Sequence, residues 1–390
     1  MGKAVEHLNP KILQWARLTA GYSESEVAEK LKKVPEVISG WEQGVGAPTY
    51  PQLERLAYQV YKRPVALFFF PSPPEEEAPE HSFRTLPGFE IDNLSPRIRY
   101  LRREAIAMQG FLSELNGPSN PQWSEFKNSV AYKSHDSAES VAAKVRKALG
   151  ISFDEQNSWK STKQAFEQWR SSFAKSGLYV FKEAFNHKLI SGFCLYDEEY
   201  PVIYVNNSNS RSRQIFSLFH ELGHLICETG GVTTANESFI ELLPPDHKRI
   251  EVFCNKFASE ALIPSETFKP FLTISDFSDS KLSQIARSFS VSKEVILRKY
   301  LDSGLVSREF YEARVYAWDK AFKKAKESKK SGGGDYYATQ ATYLGMEYLK
   351  LALSTMHQGN ITQEQAAEYL KVRPENLEKL EGFYFAKVAS

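Results

Sequence analysis

The sequence motif with the clearest chemistry is His-Glu-x-x-His, formed by His220, Glu221 and His224 within the largely apolar run 216–227. If this run is a helix, His220 and His224 lie one turn apart on one face, so both imidazoles can reach a single metal ion. Glu221 is rotated from His220 by about 100°, which places its carboxylate beside the ion, where a general base would act on a water molecule. Three polar groups on a buried helix need a partner, and a metal ion would provide it.

Two histidines leave a catalytic zinc ion one protein ligand short. Downstream acidic and histidine side chains are the candidates for it: Glu228, Glu237, Glu241, Asp246, His247, Glu251 and Glu260. Glu228 is too close to the end of the first helix to fold back, and Glu241 precedes two prolines. Glu251 begins a helical pattern in which it shares one face with Asn255. We predict Glu251 as the third ligand, with the Asn255 amide as a hydrogen-bonding partner of the site.

The elements directly before the motif read as a small sheet. Residues 178–181, 190–196 and 201–205 are rich in branched and aromatic side chains and are bounded by Gly, Asn and Asp, which predicts three short strands. An edge strand can hold an extended peptide by main-chain hydrogen bonds, which suits a peptide hydrolase. We expect Tyr204 and Asn206 near such an edge, and a structural role within the strand is the alternative for both.

The N-terminal residues 10–65 show the pattern of a run of short helices. Ser23 and Glu26 form a capping-box signature for one helix, and Pro35 occupies a favourable first position of the next. Two short helices joined by a tight turn and packed on their neighbours form a helix-turn-helix.

This N-terminal region resembles the Xre-type, phage-repressor-like helix-turn-helix family. The resemblance rests on the Ser-x-x-Glu-Val-Ala-x-x-Leu run from Ser23, on Ile38-Ser39-x-Trp41-Glu42-x-Gly44, and on Pro48 with Leu53. It implies that the helix from about Pro35 to Gln43 enters the major groove of DNA. The DNA-contacting candidates are Lys32, Lys33, Ser39 and Gln43.

The charge of this region gives only weak support to a DNA-binding role. The expected recognition helix carries Glu36 and Glu42 without Lys or Arg, and residues 1–70 hold nine basic against seven acidic side chains. That is a weak electrostatic footprint for DNA. A protein-docking or dimerisation module is therefore the alternative to DNA binding.

The region around the metal motif resembles the ImmA/IrrE family of zinc metallopeptidases over residues 175–305. The resemblance is carried by Arg211-x-Arg213-x-x-Phe216, by His220-Glu221-Leu222-Gly223-His224-Leu225, and by Glu251-x-x-Cys254-Asn255-x-Phe257-Ala258-x-Glu260-x-Leu262-x-Pro264. It implies one Zn²⁺ per chain, held by the two histidines and the downstream glutamate, as in gluzincin-type peptidases. Members joined to an N-terminal Xre module occur in stress responses and mobile elements, where the substrate is a repressor protein. Cys254 departs from the family, which usually has Ala there; its thiol is either a bystander or a group that binds in the oxidised or metal-free protein.

These patterns predict a mostly α fold with a small β-sheet, of class α+β, in which a zincin-like domain follows an all-α domain. We divide the chain into a helix-turn-helix domain (1–70), a Pro/Glu-rich linker and connecting segment (71–94), a helical connecting region (95–175), a zinc metallopeptidase core (176–305) and a helical C-terminal extension (306–390).

The composition of the 390 residues restricts the class of protein. With 49 basic and 48 acidic side chains, the overall charge favours neither a nucleic-acid nor a membrane partner. Three cysteines without a Cys-x-x-Cys arrangement argue for a reducing cytoplasm. No stretch of eighteen apolar residues occurs, so a membrane-spanning segment and secretion are not expected.

The leading hypothesis is a cytoplasmic zinc-dependent endopeptidase that cleaves a repressor-like or antitoxin-like protein, with Glu221 as the general base. Its helix-turn-helix module would bind DNA or bring the enzyme to a DNA-bound substrate. His247, Tyr204 and Tyr336 are open candidates for the group that stabilises the oxyanion. The competing hypothesis is a non-catalytic transcriptional regulator or sensor that uses the metallopeptidase fold to bind a partner or ligand. The sequence leaves the substrate and the oligomeric state open, and a homo-oligomer is compatible with it.

Overall fold

The computed structural model describes residues 3–77, 79–83, 94–187, 189–234, 238–289, 291–327 and 335–389. Helices predominate, and one four-stranded mixed sheet accompanies them, which confirms the predicted mostly α, α+β class. The chain groups into two compact units. The first contains the described residues up to 81 and 94–104, and the second contains 82–83 and 105–389.

The first unit is built from short helices around a small apolar core. Its helices are α1 (Pro10–Ala20), α2 (Glu24–Leu31), α3 (Pro35–Glu42) and α4 (Tyr50–Glu54), followed by a π-helix (Arg55–Tyr61) and a 3-10 helix (Val65–Phe69). The predicted capping box is present: the Ser23 hydroxyl accepts from the Glu26 N–H, and the Glu26 carboxylate accepts from the Ser23 N–H at 2.8 Å. Ile12, Ala16, Val27 and Leu53 are fully buried in the core between these helices.

The charge of α3 is less negative at its surface than its sequence indicates. Glu42 is buried and accepts two hydrogen bonds from Arg17, with Nε–Oε1 and Nη2–Oε2 distances of 2.7 and 2.8 Å. Lys32 and Lys33, which precede α3, and Gln43, which follows it, are exposed. Ser39 within α3 is half-buried. Of the two acids in α3, Glu42 is thus neutralised internally, and DNA contact by the four candidate residues stays a prediction.

The Pro/Glu-rich segment expected as a linker is held against the first unit over residues 71–77. Asn9 donates from Nδ2 to the carbonyl oxygens of Phe70 and Pro71, at 2.9 and 3.0 Å. Glu76 accepts from the buried Arg63, with an Nη2–Oε2 distance of 2.8 Å. The acidic composition predicts a solvated segment, but Glu76 attaches it to the first unit. Residues 84–93 of the predicted linker lie outside the described residues.

Two helices, α5 (Pro79–Ser82) and α6 (Pro96–Asn116), contribute residues to both units. The helices that follow α6 in the second unit are α7 (Pro121–Val130), α8 (Ala138–Leu149), α9 (Phe153–Ser158), α10 (Thr162–Lys175), α11 (Arg211–Ile226), α12 (Pro245–Leu262), α13 (Ser265–Phe268), α14 (Asp279–Ser288), α15 (Lys293–Asp302), α16 (Arg308–Glu327), α17 (Tyr336–Leu344), α18 (Met346–His357), α19 (Gln363–Tyr369) and α20 (Leu377–Val388). None of the described helices is long and apolar enough to cross a membrane.

The sheet of the second unit contains β1 (Tyr179–Glu183), β2 (Ile190–Leu195), β3 (Val202–Asn206) and β4 (Gly231–Thr234). Their order is β1-β3-β2-β4; β1 runs parallel to β3, and the other two pairs are antiparallel. The first three strands agree with the sequence prediction to within two residues, whereas β4 was not predicted. With one glycine, one valine and two threonines, β4 has too weak an apolar pattern to be recognised from sequence.

The expected position of Tyr204 and Asn206 at the sheet edge is wrong. Both lie on β3, which has β1 on one side and β2 on the other, and both are buried. Asn206 donates from Nδ2 to the carbonyl oxygen of Ile190 at 3.0 Å, and the Tyr204 ring stacks on Phe193 with a centroid separation of 5.2 Å. These contacts fit the structural role that was the alternative for both residues.

Helix α11 lies at the centre of the second unit, between the sheet and α12. Leu218, Phe219, Leu222 and Leu225 are fully buried on it, so it is apolar on several sides, as a central helix must be. The Phe219 ring meets Trp169 of α10 edge-on at a centroid distance of 4.8 Å. The second unit thus holds the His-Glu-x-x-His motif on a rigid, fully packed element.

The C-terminal helices are attached to the same unit through Arg170 of α10. Its guanidinium donates to the carbonyl oxygens of Thr342 and Tyr343 at the end of α17, each at 2.8 Å, and to that of Val180 in β1 at 2.8 Å. Burial lowers the pKa of Arg170 to about 10, and Glu167 opposes this shift. One buried arginine thereby joins a helix terminus of the extension to the sheet.

Candidate metal centre

The candidate centre lies where α11 and α12 pack side by side. Helix α11 begins at a Ser210 cap and carries His220, Glu221 and His224, and α12 carries Glu251 four residues before Asn255. Gly223 allows the close approach: a Cβ atom added there would lie 3.0 Å from Cys254 Sγ and 3.2 Å from Cys254 Cα. A larger residue at position 223 would therefore push the two ligand-bearing helices apart.

The three predicted ligand side chains lie together. His220 Nε2 is 3.3 Å from Glu251 Oε2, His224 Nε2 is 3.3 Å from Glu251 Oε1, and the two Nε2 atoms are 3.1 Å apart. Each side chain offers an atom to a group that spans no more than 4.8 Å, and all three residues are at most 2% exposed. This buried His220-His224-Glu251 cluster could hold one metal ion.

The hydrogen bonds around the cluster orient the imidazoles for metal binding. His220 Nδ1 lies 3.1 Å from Asn255 Oδ1, an acceptor, so we assign the ring proton to Nδ1 and the free electron pair to Nε2. His224 Nδ1 lies 3.5 Å from the Thr229 hydroxyl oxygen, and this hydroxyl donates to the His224 carbonyl oxygen at 3.2 Å. Both Nε2 atoms are therefore turned towards Glu251 as electron-pair donors, which fits a metal ion. Thr229 was missed in the sequence because a threonine after a helix end is common.

The charge of Glu251 supports the same conclusion. Burial alone would raise the pKa of Glu251, but the positive charge that the cluster carries on its imidazoles, His224 first, outweighs burial and holds the pKa below its usual range; a metal ion would take the place of that charge. Its Oε1 atom is buried without a hydrogen-bond donor among the described residues. An ionised carboxylate buried with an unsatisfied oxygen needs a cation nearby.

Glu221 is positioned by β4. Its Oε1 atom accepts from the Thr233 backbone N–H at 2.8 Å and from the Thr233 hydroxyl. Its Oε2 atom is buried and has no hydrogen-bond partner among the described residues. One oxygen thus fixes the carboxylate, and the other remains available to exchange a proton. Thr233 was not predicted, since it lies twelve residues from Glu221 in an unrecognised strand.

Strand β4 also contacts the second histidine, through Gly231. A Cβ atom at position 231 would lie 2.2 Å from His224 Cδ2 and 2.3 Å from Cγ. We expect Gly231→Ala to displace the imidazole or the strand, costing about 1–3 kcal/mol of unfolding free energy and weakening metal binding. Thermal unfolding of the metal-free protein and a metal titration measure the two effects. Gly382→Ala is the matched control, since nothing lies within 4 Å of its added Cβ; equal behaviour of the two variants would contradict this account.

Asn255 supplies a further test of the geometry. We expect Asn255→Ala to weaken metal binding by about 10- to 100-fold, because His220 loses the acceptor that fixes its ring proton on Nδ1. Competition with a chromophoric chelator measures this affinity. The matched control is Asn360→Ala, whose exposed side chain bonds only locally to Gln358. Wild-type metal affinity in Asn255→Ala would show that the Asn255 contact does not orient the ligand.

A cavity of 660 Å³ opens onto the centre within the second unit. His220, Glu251 and Asn255 lie along it, as do Arg213 and Tyr311. The oxyanion candidates His247, Tyr204 and Tyr336 are absent from its described lining, so the cavity does not bring them to the centre. Tyr204 is buried in β3, and Tyr336 is half-exposed at the start of α17.

The sequence did not predict that Arg213 and Tyr311 line this cavity, although Arg213 belongs to the motif that carries the family resemblance. Arg213 precedes His220 by two helical turns, so helical periodicity could have placed it on the same face. It donates to Ser191 Oγ at 2.9 Å and to Glu294 at 3.1 Å. Tyr311 arrives from α16, and no local pattern relates it to the motif.

Comparison with known proteins supports a peptidase-like second unit. Residues 173–300, a third of the chain, match the family model described as Peptidase_M78, IrrE N-terminal-like domain. This segment contains all the metal-cluster residues together with Glu221, Thr233 and Asn255. No curated protein and no solved structure matches the chain. Metal dependence is general in that family, in agreement with a His220-His224-Glu251 cluster that could bind a metal.

Proposed function

We propose that the chain is a zinc-dependent endopeptidase. The observation that carries the proposal is the juxtaposition of two histidine nitrogens and a carboxylate within 4.8 Å, beside a glutamate with one unpaired buried oxygen. Two neutral imidazoles and one carboxylate form a known ligand set of catalytic zinc, and three protein ligands leave a coordination position for a reacting molecule. The family match to a peptidase domain agrees with this choice.

Zinc bound at this cluster would supply Lewis-acid chemistry, polarising the scissile carbonyl and increasing the acidity of water. Glu221 accepts the proton of the attacking water at Oε2 and then donates it to the leaving amine. Thr233 holds the other oxygen of Glu221 throughout, so the carboxylate does not need to reorient between the two transfers. Asn255 and Thr229 accept from the Nδ1 atoms of His220 and His224, which leaves both Nε2 atoms for the metal ion.

The cavity supports a peptide as the substrate. Its 660 Å³ lies within the range of pockets that enclose a ligand of several hundred daltons, which corresponds to a few peptide residues. Ion pairs line its wall, among them Arg213–Glu294 at 3.1 Å and Arg298–Asp302 at 3.2 Å. These paired charges could orient main-chain amides of a peptide without demanding a charged side chain from it.

We infer that the substrate is a regulatory protein of the repressor or antitoxin type and that the first unit binds DNA or recruits that substrate. Exposed Lys32 and Lys33 and the internal neutralisation of Glu42 support this role. The three free cysteines fit a reducing cytoplasm as the place of action.

Metal analysis of the purified full chain, combined with mass spectrometry of a peptide library, tests the proposal. The expected result is one zinc per chain and internal peptide cleavage that stops on chelation and returns with zinc. Absence of stoichiometric zinc would refute the proposal that the chain is a zinc-dependent enzyme. Zinc binding without any cleavage of the library or of a repressor encoded beside the protein would instead favour a non-catalytic sensor.

A further inference from the structure

We propose that Cys227 and Cys254 form an oxidisable dithiol, which a peroxide converts into a disulfide joining the two helices that carry the metal ligands. The inference concerns cysteine chemistry and holds whether or not the chain cleaves peptides.

Each cysteine follows one of the candidate metal ligands by three residues. Cys227 is the C-cap of α11, three residues after His224, and Cys254 lies in α12, three residues after Glu251. At Gly223, one turn before Cys227 on the same face of α11, α12 comes close, with Cys254 Sγ 3.0 Å from the Cβ that an alanine would have. The Cys227 and Cys254 thiols lie within hydrogen-bonding reach of each other across this contact.

The surroundings give the two thiols different reactivities. Cys227 is half-buried, whereas Cys254 is fully buried. The Cys254 hydrogen bond lowers the pKa of Cys227, and the Tyr132 hydroxyl and the charge of Arg249 add to this effect against the influence of burial. Burial raises the pKa of Cys254 well above its usual value. Since thiolates react with peroxides, Cys227 is the attacking group and Cys254 the resolving one.

Tyr132 is held in place for this contact. Its ring packs on Phe253, the neighbour of Cys254, at a centroid distance of 5.2 Å, and its hydroxyl is hydrogen-bonded to Cys227. Tyr132 belongs to neither α11 nor α12, and its hydroxyl stabilises the Cys227 thiolate as a donor.

The chemistry balances with hydrogen peroxide as the oxidant. The Cys227 thiolate attacks one peroxide oxygen, the O–O bond breaks, and the products are Cys227 sulfenic acid and hydroxide, which takes up a proton to give water. Cys254 sulfur then attacks the Cys227 sulfur, the S–O bond breaks, and a second water leaves with the Cys254 proton. Two thiols are oxidised to one disulfide, and one peroxide is reduced to two waters. The cross-link ties α11 to α12 within one turn of His224 and Glu251, so it couples the redox state to the spacing of the ligand-bearing helices.

Oxidation of the metal-free full chain with equimolar hydrogen peroxide tests the proposal. After denaturation and alkylation, the intact mass should show one alkylated thiol out of three, and proteolytic mapping should identify a Cys227–Cys254 cross-link. In Cys194→Ala, both remaining thiols should form the same disulfide and none should be alkylated. In Cys227→Ser, both remaining thiols should still be alkylated. Three alkylated thiols in the wild type, a cross-link that involves Cys194, or oxidation of Cys227 that leaves Cys254 alkylatable would each overturn the proposal.

A rate measurement distinguishes this arrangement from chance proximity of two thiols. Tyr132→Phe removes one donor to the Cys227 thiolate and should slow disulfide formation at neutral pH by about three- to tenfold. Tyr58→Phe, a change at an exposed tyrosine of the first unit, should leave the rate unchanged. Equal rates in the wild type and in Tyr132→Phe would show that the surroundings do not activate Cys227.

Discussion

Glu221→Gln should lower kcat/KM for peptide hydrolysis by about 10²- to 10⁴-fold while zinc content stays at the wild-type level. The amide of glutamine retains an oxygen that can accept from Thr233, so the side chain keeps its position in the fold. It cannot accept the proton of the attacking water, because an amide oxygen is a far weaker base than a carboxylate. The measurement is the initial rate of cleavage of a defined peptide, with the metal content of the same sample determined in parallel.

The control for this variant is Glu228→Gln, an exposed change seven residues along the chain at the end of α11. It alters the net charge equally and should leave kcat/KM at the wild-type value. If Glu221→Gln cleaves as fast as the wild type, Glu221 is not the base, even if zinc occupies the cluster.

Glu251→Gln should abolish stoichiometric zinc binding. The loss of affinity should exceed the roughly 10- to 100-fold that follows when a side chain hydrogen-bonded to a metal ligand is removed. The substitution removes the only carboxylate of the His220-His224-Glu251 cluster and with it the negative charge that balances the ion. The metal-free variant should remain folded, since a neutral amide costs less to bury than the unsatisfied carboxylate it replaces. Metal analysis after dialysis, together with thermal unfolding in the presence of chelator, separates affinity from stability.

Asp246→Asn provides the matched control for the loss of a carboxylate. Asp246 lies on the first turn of the same helix, α12, and its side chain is 86% exposed. It should retain one zinc per chain. Full zinc occupancy in Glu251→Gln would instead show that the two histidines bind zinc with a ligand other than Glu251.

Much of the candidate site could be predicted because helical geometry is local. The spacing of His220 and His224 fixes their common face whatever surrounds the helix, and the same periodicity relates Glu251 to Asn255. The capping signal at Ser23 and the apolar strands before α11 are also readable from neighbouring residues. The capped helix, the strands and α11 appear in the structure with nearly the expected bounds, whereas α12 begins at Pro245, six residues before the expected start at Glu251.

The remaining features depend on contacts between residues far apart in the sequence. Strand order decided that Tyr204 lies inside the sheet and that β4 forms an outer strand, because pairing partners are chosen by tertiary packing. The same packing placed Thr233 on Glu221 and Gly231 on His224. The same packing forms a cavity whose described lining includes Arg213 and Tyr311 but none of the three predicted oxyanion candidates.

The sequence by itself therefore indicated which residues could bind a metal and act as a base, since the two histidines share one helix face and Glu251 shares a face of another helix with Asn255. The tertiary structure alone decided which residue holds Glu221, which residues line the cavity and which cysteines meet. Helical periodicity repeats every few residues and can be read directly, whereas these contacts arise from the burial of apolar surface between α11, α12 and the sheet, which no local spacing records.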